Sequence, residues 1–440
     1  MIAAEETIKI GTEWLPNFPV HWQLIRVKNL FNEIEKRSVS GKEDLLSVSQ
    51  YTGVTPRKDS FEEGKEITNA KTLKGYKIVE QADLVVNIML AWNGCFGISN
   101  YNGITSPAYC VYRVKNELEL NPEYFGYLFS TSLYKGEFRK QSTGIIESRL
   151  RLYSDAFFKI FCFVPPKKEQ DKIVKLISCE TAKIRHFIQT KQRFIELLKE
   201  QRQSIITNAV TRGIDDKAKM KATVLGEIPE HWEVRKLKFI AEVNFSTVDK
   251  HSHKEEKQVR LCNYVDVYKH EYITNDFDFM IATATDAEIK RFTVEKGDVI
   301  ITKDSETAAD IAIPALVVED LENVVCAYHL AHIKPNRELV ESEYLFRLFQ
   351  SKKINSHFEV AAKGVTRHGL SYDDINSVFL PYPPTLNEQQ EIIKHIKTES
   401  RTLDIAISKA EREIELIKEY REAMIAEAVT GKMKITDNSK

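Results

Sequence analysis

The stretch that decides the fold is Ile195-Glu-Leu-Leu-Lys-Glu-Gln-Arg202, because the chain contains it twice. It returns as Ile414-Glu-Leu-Ile-Lys-Glu-Tyr-Arg421, at a shift of 219 residues. A second repeat joins Pro19-Val-His-Trp22 to Pro229-Glu-His-Trp232, at a shift of 210 residues. A period this long is unlike that of a solenoid, and it predicts two tandem copies of one module, each a domain followed by a helix.

A long helix is predicted around each copy of the repeated stretch. The first runs from Glu169 to about Thr211 without Gly or Pro, and apolar side chains recur in it every 3.5 residues, a pattern typical of a coiled coil. The same register returns in the second helix. The predicted seam residues are Ile184, Ile188, Ile195, Leu198 and Ile205 in the first helix and Leu403, Ile407, Ile414, Ile417 and Met424 in the second.

These two seams need a partner of matching length. A helix of ~43 residues spans roughly 65 Å, whereas a domain of ~150 residues is only some 35 Å across. We therefore expect the two helices to pack on each other. The alternative is two independent amphipathic helices, each packed on its own domain.

Short apolar runs bounded by turn residues predict two globular domains of mixed α/β composition. The globular domains are predicted at residues 1–164 and 229–382, the long helices at 165–212 and 383–432, a linker at 213–228 and a tail at 433–440. The sequences of the two globular segments are similar near the beginning and end of each segment and differ in the middle. This pattern indicates one shared frame that carries two different specificities.

Composition favours a cytoplasmic protein. The chain has 440 residues, 42% of them hydrophobic, and a formal net charge of −1, so bulk positive charge does not attract it to nucleic acid. The six cysteines form no CxxC pair, and we expect reduced thiols. No signal peptide or membrane-spanning run is recognisable, and we expect no membrane partner.

The sequence offers no constellation that we would assign to catalysis, and we predict neither catalytic nor metal-binding residues. It has no phosphate-binding GxxxxGK[ST] loop and no GxGxxG after a strand. The pair His329 and His332 has the wrong spacing for zinc on a helix. Asp298 and Lys303 are loose fragments of a nuclease motif, in the wrong order.

Basic and polar loop residues are better candidates for DNA contacts, because Arg and Lys hold phosphates or reach guanine and Gln reads adenine. For any single residue, ordinary surface exposure is the competing interpretation. The candidates are Gln50, Tyr51, Thr52, Arg57, Lys58, Arg149 and Arg151 in the first globular segment and Lys303, Lys363, Thr366, Arg367 and His368 in the second.

The chain resembles the specificity subunit of Type I restriction–modification enzymes. Leu225-Gly-Glu-Ile-Pro-Glu-His-Trp-Glu-Val234 is similar to the segment that opens each recognition domain in that family. Pro165-Pro-Lys-Lys-Glu-Gln170 and Pro383-Pro-Thr-Leu-Asn-Glu-Gln389 are similar to the entry to its two conserved helices. Gly103-Ile-Thr-Ser-Pro-Ala-Tyr109 and Gly364-Val-Thr-Arg-His-Gly-Leu370 also fit the family.

The resemblance implies an α+β fold with two target recognition domains, an antiparallel coiled coil and an internal pseudo-twofold repeat. It implies that each domain reads one half of a bipartite site in double-stranded DNA. The helices then set the spacer and dock two methylation subunits, and restriction subunits join through the complex. S-adenosylmethionine, ATP and Mg²⁺ are expected on those partners, with no cofactor on this chain. The alternatives are a stand-alone DNA endonuclease and a coiled-coil protein adaptor.

Overall fold

The computed structural model describes residues 7–8, 17–57, 72–115, 118–146 and 150–433. The chain divides into two compact units. The first unit contains Met1–Thr190 and Arg412–Lys440, and the second contains Lys191–Glu411. Each unit therefore combines one globular domain with parts of both long helices. The predicted fold class, mixed helix and strand with two domains and two long helices, is confirmed.

The two long helices are Lys167–Arg212, with 46 residues, and Leu386–Val429, with 44 residues. Each begins just after a Pro-Pro pair and ends just before a glycine with left-handed backbone, Gly213 at φ 75° and Gly431 at φ 74°. Glycine adopts this conformation without the steric cost of a Cβ atom, and it commonly ends helices. Among the described residues, no helix is long and apolar enough to cross a membrane.

The predicted seam residues are buried or half-buried in both helices. The buried members of the predicted set are Ile184, Ile195, Leu198, Ile407, Ile414 and Met424. The half-buried members are Ile188, Ile205, Leu403 and Ile417. In the first unit, Ile177 near the beginning of the first helix shares a core with Ala428 at the end of the second. In the second unit, Ile206 near the end of the first helix shares a core with Ile396 near the beginning of the second. The helices therefore run antiparallel.

The first globular domain is built on an antiparallel four-stranded sheet. Its strands, in spatial order, are Phe31–Glu33, Cys110–Val114, Leu84–Val86 and Phe96–Ile98. The two-stranded pairs are Thr7–Ile8 with Phe18–Pro19, Gln23–Arg26 with Phe161–Val164, Leu46–Ser49 with Gly53–Pro56, and Lys77–Val79 with Gly103–Thr105. The short helices are Val27–Leu30, Pro122–Ser130, Ser132–Gln141 and Ser154–Phe157. Aromatic side chains of the helices fill its core, among them Phe125, Phe129 and Phe138.

The second globular domain is built on a larger, five-stranded sheet. Its strands, in spatial order, are Ala241–Phe245, Leu330–Pro335, Val299–Thr302, Pro314–Val317 and Tyr272–Ile273. A three-stranded sheet contains Met280–Ala284, Lys257–Cys262 and Val324–Cys326. The two-stranded pairs are Met220–Thr223 with Gly226–Pro229, Glu233–Lys236 with Phe379–Tyr382, and Asp304–Ser305 with His368–Gly369. The short helices are Tyr264–Lys269, Asp286–Phe292, Ser342–Gln350, Lys352–Ala361 and Tyr372–Asn376.

The segment predicted as a linker, 213–228, is more ordered than its polar composition suggested. Met220–Thr223 pairs with Gly226–Pro229 in a tight antiparallel hairpin. Ile228 at the end of the hairpin is fully buried in the core of the second unit. The segment therefore belongs to the second unit, and only the residues before the hairpin connect it to the helix.

The repeated sequence motifs hold the same contacts in both units. The indole nitrogen of Trp22 donates a hydrogen bond to Glu169, the third residue of the first long helix, at 3.1 Å. Trp232 donates in the same way to Glu388, the third residue of the second long helix, at 2.7 Å. Each His-Trp motif therefore anchors the beginning of the long helix that follows its own domain.

A buried tyrosine anchors the opposite helix in each unit. The hydroxyl of Tyr124 lies 3.0 Å from the carbonyl oxygen of Val429, the last residue of the second long helix. The hydroxyl of Tyr344 lies 3.3 Å from the carbonyl oxygen of Val210, near the end of the first. Carbonyls at a helix end have no donor within the helix. Each tyrosine therefore satisfies a group that the helix leaves unpaired, and it joins each domain to the helix of the other module.

Candidate nucleic-acid interface

The loop 363–370 of the second unit carries most of the predicted site residues of that half. Lys363 and Gly369 exchange two backbone hydrogen bonds, at 3.0 and 2.9 Å, which close the loop into a hairpin-like turn. His368–Gly369 also pairs with Asp304–Ser305, and the amide of Leu370 donates to the carbonyl of Lys303 at 2.9 Å. The loop is thereby fixed beside Lys303, although the two segments are far apart in the sequence.

The side chain of Lys303 lies between two aromatic rings. Its ammonium nitrogen is 4.9 Å from the ring centre of Phe245 and 5.2 Å from that of Tyr328. Burial lowers the pKa of Lys303 from its ordinary value. The faces of the two rings partly compensate for the water that the ammonium group loses on burial, because aromatic faces attract cations. Lys303 is thus a partly dehydrated cation held in one place, which suits it to meet an anionic or polar ligand.

Arg367 is held by an acid–imidazole pair. One guanidinium nitrogen lies 2.7 Å from a carboxylate oxygen of Asp304 and 3.2 Å from Nδ1 of His329. The other carboxylate oxygen of Asp304 lies 2.9 Å from the same His329 nitrogen. The Asp304 side chain is only 16% exposed, whereas that of Arg367 is 52% exposed. The arginine is therefore oriented by a buried acid while several of its five N–H donors still face solvent.

The remaining predicted residues of this half lie on the same loop. Lys363 and Thr366 are exposed, and His368 is half-buried. Val365, between them, is 97% exposed, an unusual environment for a branched apolar side chain. The structure therefore brings Lys303, Lys363, Thr366, Arg367 and His368 into one loop site, which we call the second-unit loop site.

The first unit has the same loop frame with different side chains. Thr143 and Arg151 exchange two backbone hydrogen bonds at 3.0 Å, as Lys363 and Gly369 do in the second unit. The amide of Leu152 donates to the carbonyl of Ile88 at 2.9 Å. Ile88 therefore occupies the place that the lysine occupies in the second unit. Arg151 itself is exposed at the base of this loop.

The other predicted residues of the first unit lie at a second place. Gln50, Tyr51 and Thr52 form the turn between the strands Leu46–Ser49 and Gly53–Pro56, and Tyr51 is 87% exposed. Arg57 follows that hairpin, and its amide donates to the carbonyl of Leu45 at 2.8 Å. Lys58 and Arg149 lie outside the described residues.

Sequence reasoning missed the residues that hold the second-unit loop site. Nothing in the sequence singles out Asp304 as a site residue, and His329 stands out only as one half of a wrongly spaced pair with His332. The structure separates the two histidines, because His332 is fully buried and lies 2.6 Å from Asp298. Among the described residues, no group of three or more His, Cys, Asp or Glu side chains is arranged to hold a metal ion.

The fold and its loop sites define a class of protein. Two globular domains share one frame, each frame carries its own set of loop residues, and both domains are built onto the same pair of long helices. The chain therefore carries one structural module twice, with a different loop surface on each copy.

Comparisons with known proteins find relatives of one kind. The model of the Type I restriction modification DNA specificity domain matches residues 229–416. The Type I restriction enzyme MjaVIII specificity subunit of Methanocaldococcus jannaschii is 21% identical over 95% of this chain and 94% of its own length. The Type I restriction enzyme EcoBI specificity subunit of Escherichia coli is 23% identical over 61% of this chain and 58% of its own length.

A solved structure shares the fold of nearly the whole chain. A chain from a structure of a type I restriction–modification system matches with a TM-score of 0.68 at 14% identity, over 94% of this chain and 99% of that one. Residues 229–416 thus match the model of the Type I restriction modification DNA specificity domain, and nearly the whole chain is similar to a Type I specificity subunit. The resemblance inferred from its motifs is thereby confirmed.

Proposed function

We propose that this chain is the non-catalytic DNA-reading subunit of its complex, and that each globular domain recognises one half of a bipartite site in double-stranded DNA. The pair of long helices sets the spacer between the half-sites and docks two methylation subunits, through which restriction subunits join. S-adenosylmethionine, ATP and Mg²⁺ bind those partner subunits. The names of the relatives support this proposal, since each is a specificity subunit.

One observation carries the proposal: the two units repeat a frame and differ in what the frame presents. The Trp–Glu and Tyr–carbonyl contacts recur in both units. At the equivalent place beside the loop, however, the first unit has Ile88 and the second has Lys303. A conserved scaffold with different contact residues is what two readers of two different sequences require.

The second-unit loop site has the chemistry for both kinds of DNA contact. Lys303 is a compact, localised cation suited to a phosphate. Arg367 is a fork of donors suited to O6 and N7 of guanine, and its orientation by Asp304 lowers the entropy lost on binding. In the first unit, Arg151 is the corresponding proposal, because its guanidinium group is suited to guanine.

The test is reconstitution with the cognate methylation subunits, followed by mapping of methylated positions across a random DNA library. We expect one sequence of two defined half-sites separated by a fixed number of undefined base pairs. A continuous recognition sequence, or methylation without sequence preference, would contradict the proposal.

The same preparation distinguishes the two alternatives. A stand-alone endonuclease would cut plasmid DNA when the chain is given Mg²⁺ without partner subunits. A protein adaptor would leave no sequence-specific footprint on DNA even in the assembled complex. We expect no cleavage by the chain alone and a footprint that covers both half-sites.

A further inference from the structure

A groove of about 740 Å³ lies inside the first unit, on the side of the hairpin turn 50–52. Its walls are the hairpin turn, the helix Pro122–Ser130 and parts of both long helices. The charged residues on its walls include Glu123, Lys135, Arg185 and Arg421. All of these residues belong to the same compact unit.

The equivalent place in the second unit is a smaller groove of about 570 Å³, on whose wall an ion-pair network holds the seam arginine. Arg202, on the seam of the first long helix, donates to both carboxylate oxygens of Glu271, at 2.7 and 2.8 Å. Arg202 also lies 2.8 Å from a carboxylate oxygen of Asp404 on the second long helix. Burial alone would raise the pKa of Glu271, but the hydrogen bonds and charge of Arg202 lower it. The seam arginine of this unit is therefore neutralised by two acids of its own chain.

The repeat places Arg421 in the first unit at the position of Arg202, 219 residues earlier. At the same shift, Arg185 stands where the second unit has Asp404. Among the described residues, the four-stranded sheet of the first unit has no strand equivalent to Tyr272–Ile273, the edge strand next to Glu271. The acid Asp404 is thus replaced by the base Arg185, and no residue in the described part of the first unit takes the place of Glu271.

Glu123, an acid on the groove wall, also differs from its counterpart in the second unit in the charged residues around it. Glu343 of the second unit pairs with Arg347 at 3.3 Å and with Lys397. Its counterpart, Glu123, is followed four residues later by Tyr127, where the second unit has Arg347. Within the described part of the chain, neither Glu123 nor Arg421 forms an ion pair. Burial raises the pKa of Glu123, as expected for a carboxyl group that no cation compensates.

We propose that this groove is a docking site for a segment of another protein, which brings a carboxylate side chain to Arg421 and Arg185 and a basic side chain to Glu123. The incoming carboxylate accepts hydrogen bonds from Arg421, as Glu271 accepts them from Arg202 in the second unit. Glu419 and Glu422 also line the groove, so its charge is mixed. A mixed groove disfavours a duplex, whose backbone presents only negative charge, and it suits a polypeptide that carries both signs.

The inference rests on the proposed function, under which the partner is a methylation subunit. It further implies that the two docking positions of the chain differ, because Arg202 pairs with acids of its own unit, whereas Arg421 forms no ion pair with any described residue. One of the two methylation subunits should therefore depend on Arg421, and the other should not.

The experiment is a titration of the full chain with its purified methylation subunit, followed by native mass spectrometry and calorimetry. The variants are Arg421→Ala and Arg185→Ala. Arg412→Ala is the matched control, because Arg412 lies on the same helix, is exposed and, among the described residues, pairs with Glu415 at 3.0 Å, away from the groove. We expect the first two changes to weaken one binding step by about ten- to a hundredfold, the effect of losing a charged hydrogen bond. The control should bind as the unchanged chain does.

The outcomes separate this inference from the function on which it rests. If the unchanged chain binds no methylation subunit, both fall. If it binds two and the Arg421→Ala and Arg185→Ala chains bind them equally well, only the docking groove is wrong. A loss of DNA affinity with unchanged subunit binding would identify a phosphate site instead and overturn the proposal. Arg185 is exposed, so its variant keeps the test valid if Arg421→Ala unfolds.

Discussion

The substitution Tyr124→Phe tests the contact that joins the first globular domain to the second long helix. The hydroxyl of Tyr124 lies 3.1 Å from the carbonyl oxygen of Phe163 and 3.0 Å from that of Val429, and the residue is fully buried. Phenylalanine keeps the ring and removes only this donor, so two buried carbonyls lose their partner. A buried polar group left without a partner costs about 1–3 kcal/mol. A unit of about 220 residues loses roughly 2–4 °C of unfolding temperature per kcal/mol.

The assay is differential scanning calorimetry together with urea unfolding of the full chain. Tyr127→Phe is the matched control, because the Tyr127 hydroxyl makes a 3.2 Å hydrogen bond to Ser178 at an exposed site. Tyr344→Phe should cost less than Tyr124→Phe, since the Tyr344 hydroxyl lies 3.3 Å from both of its acceptors. If Tyr124→Phe were as stable as the Tyr127→Phe control, the proposed anchoring role of the hydroxyl would be refuted.

Three further predictions concern charge and the seam. Lys303→Met should not lower the unfolding temperature, because burial already disfavours the charged form of this lysine and lowers its pKa. The same change should weaken DNA binding. The slope of log K for DNA binding against log salt concentration should fall by about one unit. The pKa of Glu271 is lowered in the folded state from its ordinary value of 4.5. The ionised Glu271 side chain therefore stabilises the fold at pH values above 4.5. That stabilisation is lost as the pH falls through the pKa that Glu271 has in the folded state. The stability gap between the unchanged chain and Glu271→Gln, measured by urea unfolding, should therefore shrink in acid. Ile414→Asp buries an unpaired charge in the seam at a cost of several kcal/mol, and methylation mapping should show loss of the fixed spacer.

The long helices were predictable because their rules are local. A run without Gly or Pro and a 3.5-residue apolar period together specify a helix with a buried seam. The glycines that end both helices are visible in the sequence for the same reason. The sheets were less accessible, because the pairing of strands such as Lys257–Cys262 and Val324–Cys326 depends on contacts between distant segments.

In the candidate site, too, features set by local sequence could be predicted and features set by distant contacts could not. Arg367 and Lys303 stood out as basic residues in loops, which is a local property. The partner of Arg367 is Asp304, which lies far away in the sequence and reaches it only through a two-stranded pairing. The hairpin at Met220–Thr223 was missed because its polar, half-exposed residues have no apolar alternation to mark them.

The repeat also shows what duplication preserves. The Trp–Glu and Tyr–carbonyl contacts are identical in kind in both units, because they hold the frame. The Arg202 network has no such counterpart at Arg421, although the arginine itself is repeated. A repeated residue whose partners are not repeated indicates where the two halves meet different surroundings.

Methylation mapping of the complex that contains Arg367→Ala tests the central claim most directly. The claim is that each domain reads its own half-site on a shared frame. We predict that sequence preference relaxes at one position within one half-site, while the other half-site and the spacer length stay as in the unchanged complex. A simultaneous change in both half-sites, or an unchanged site, would contradict the account.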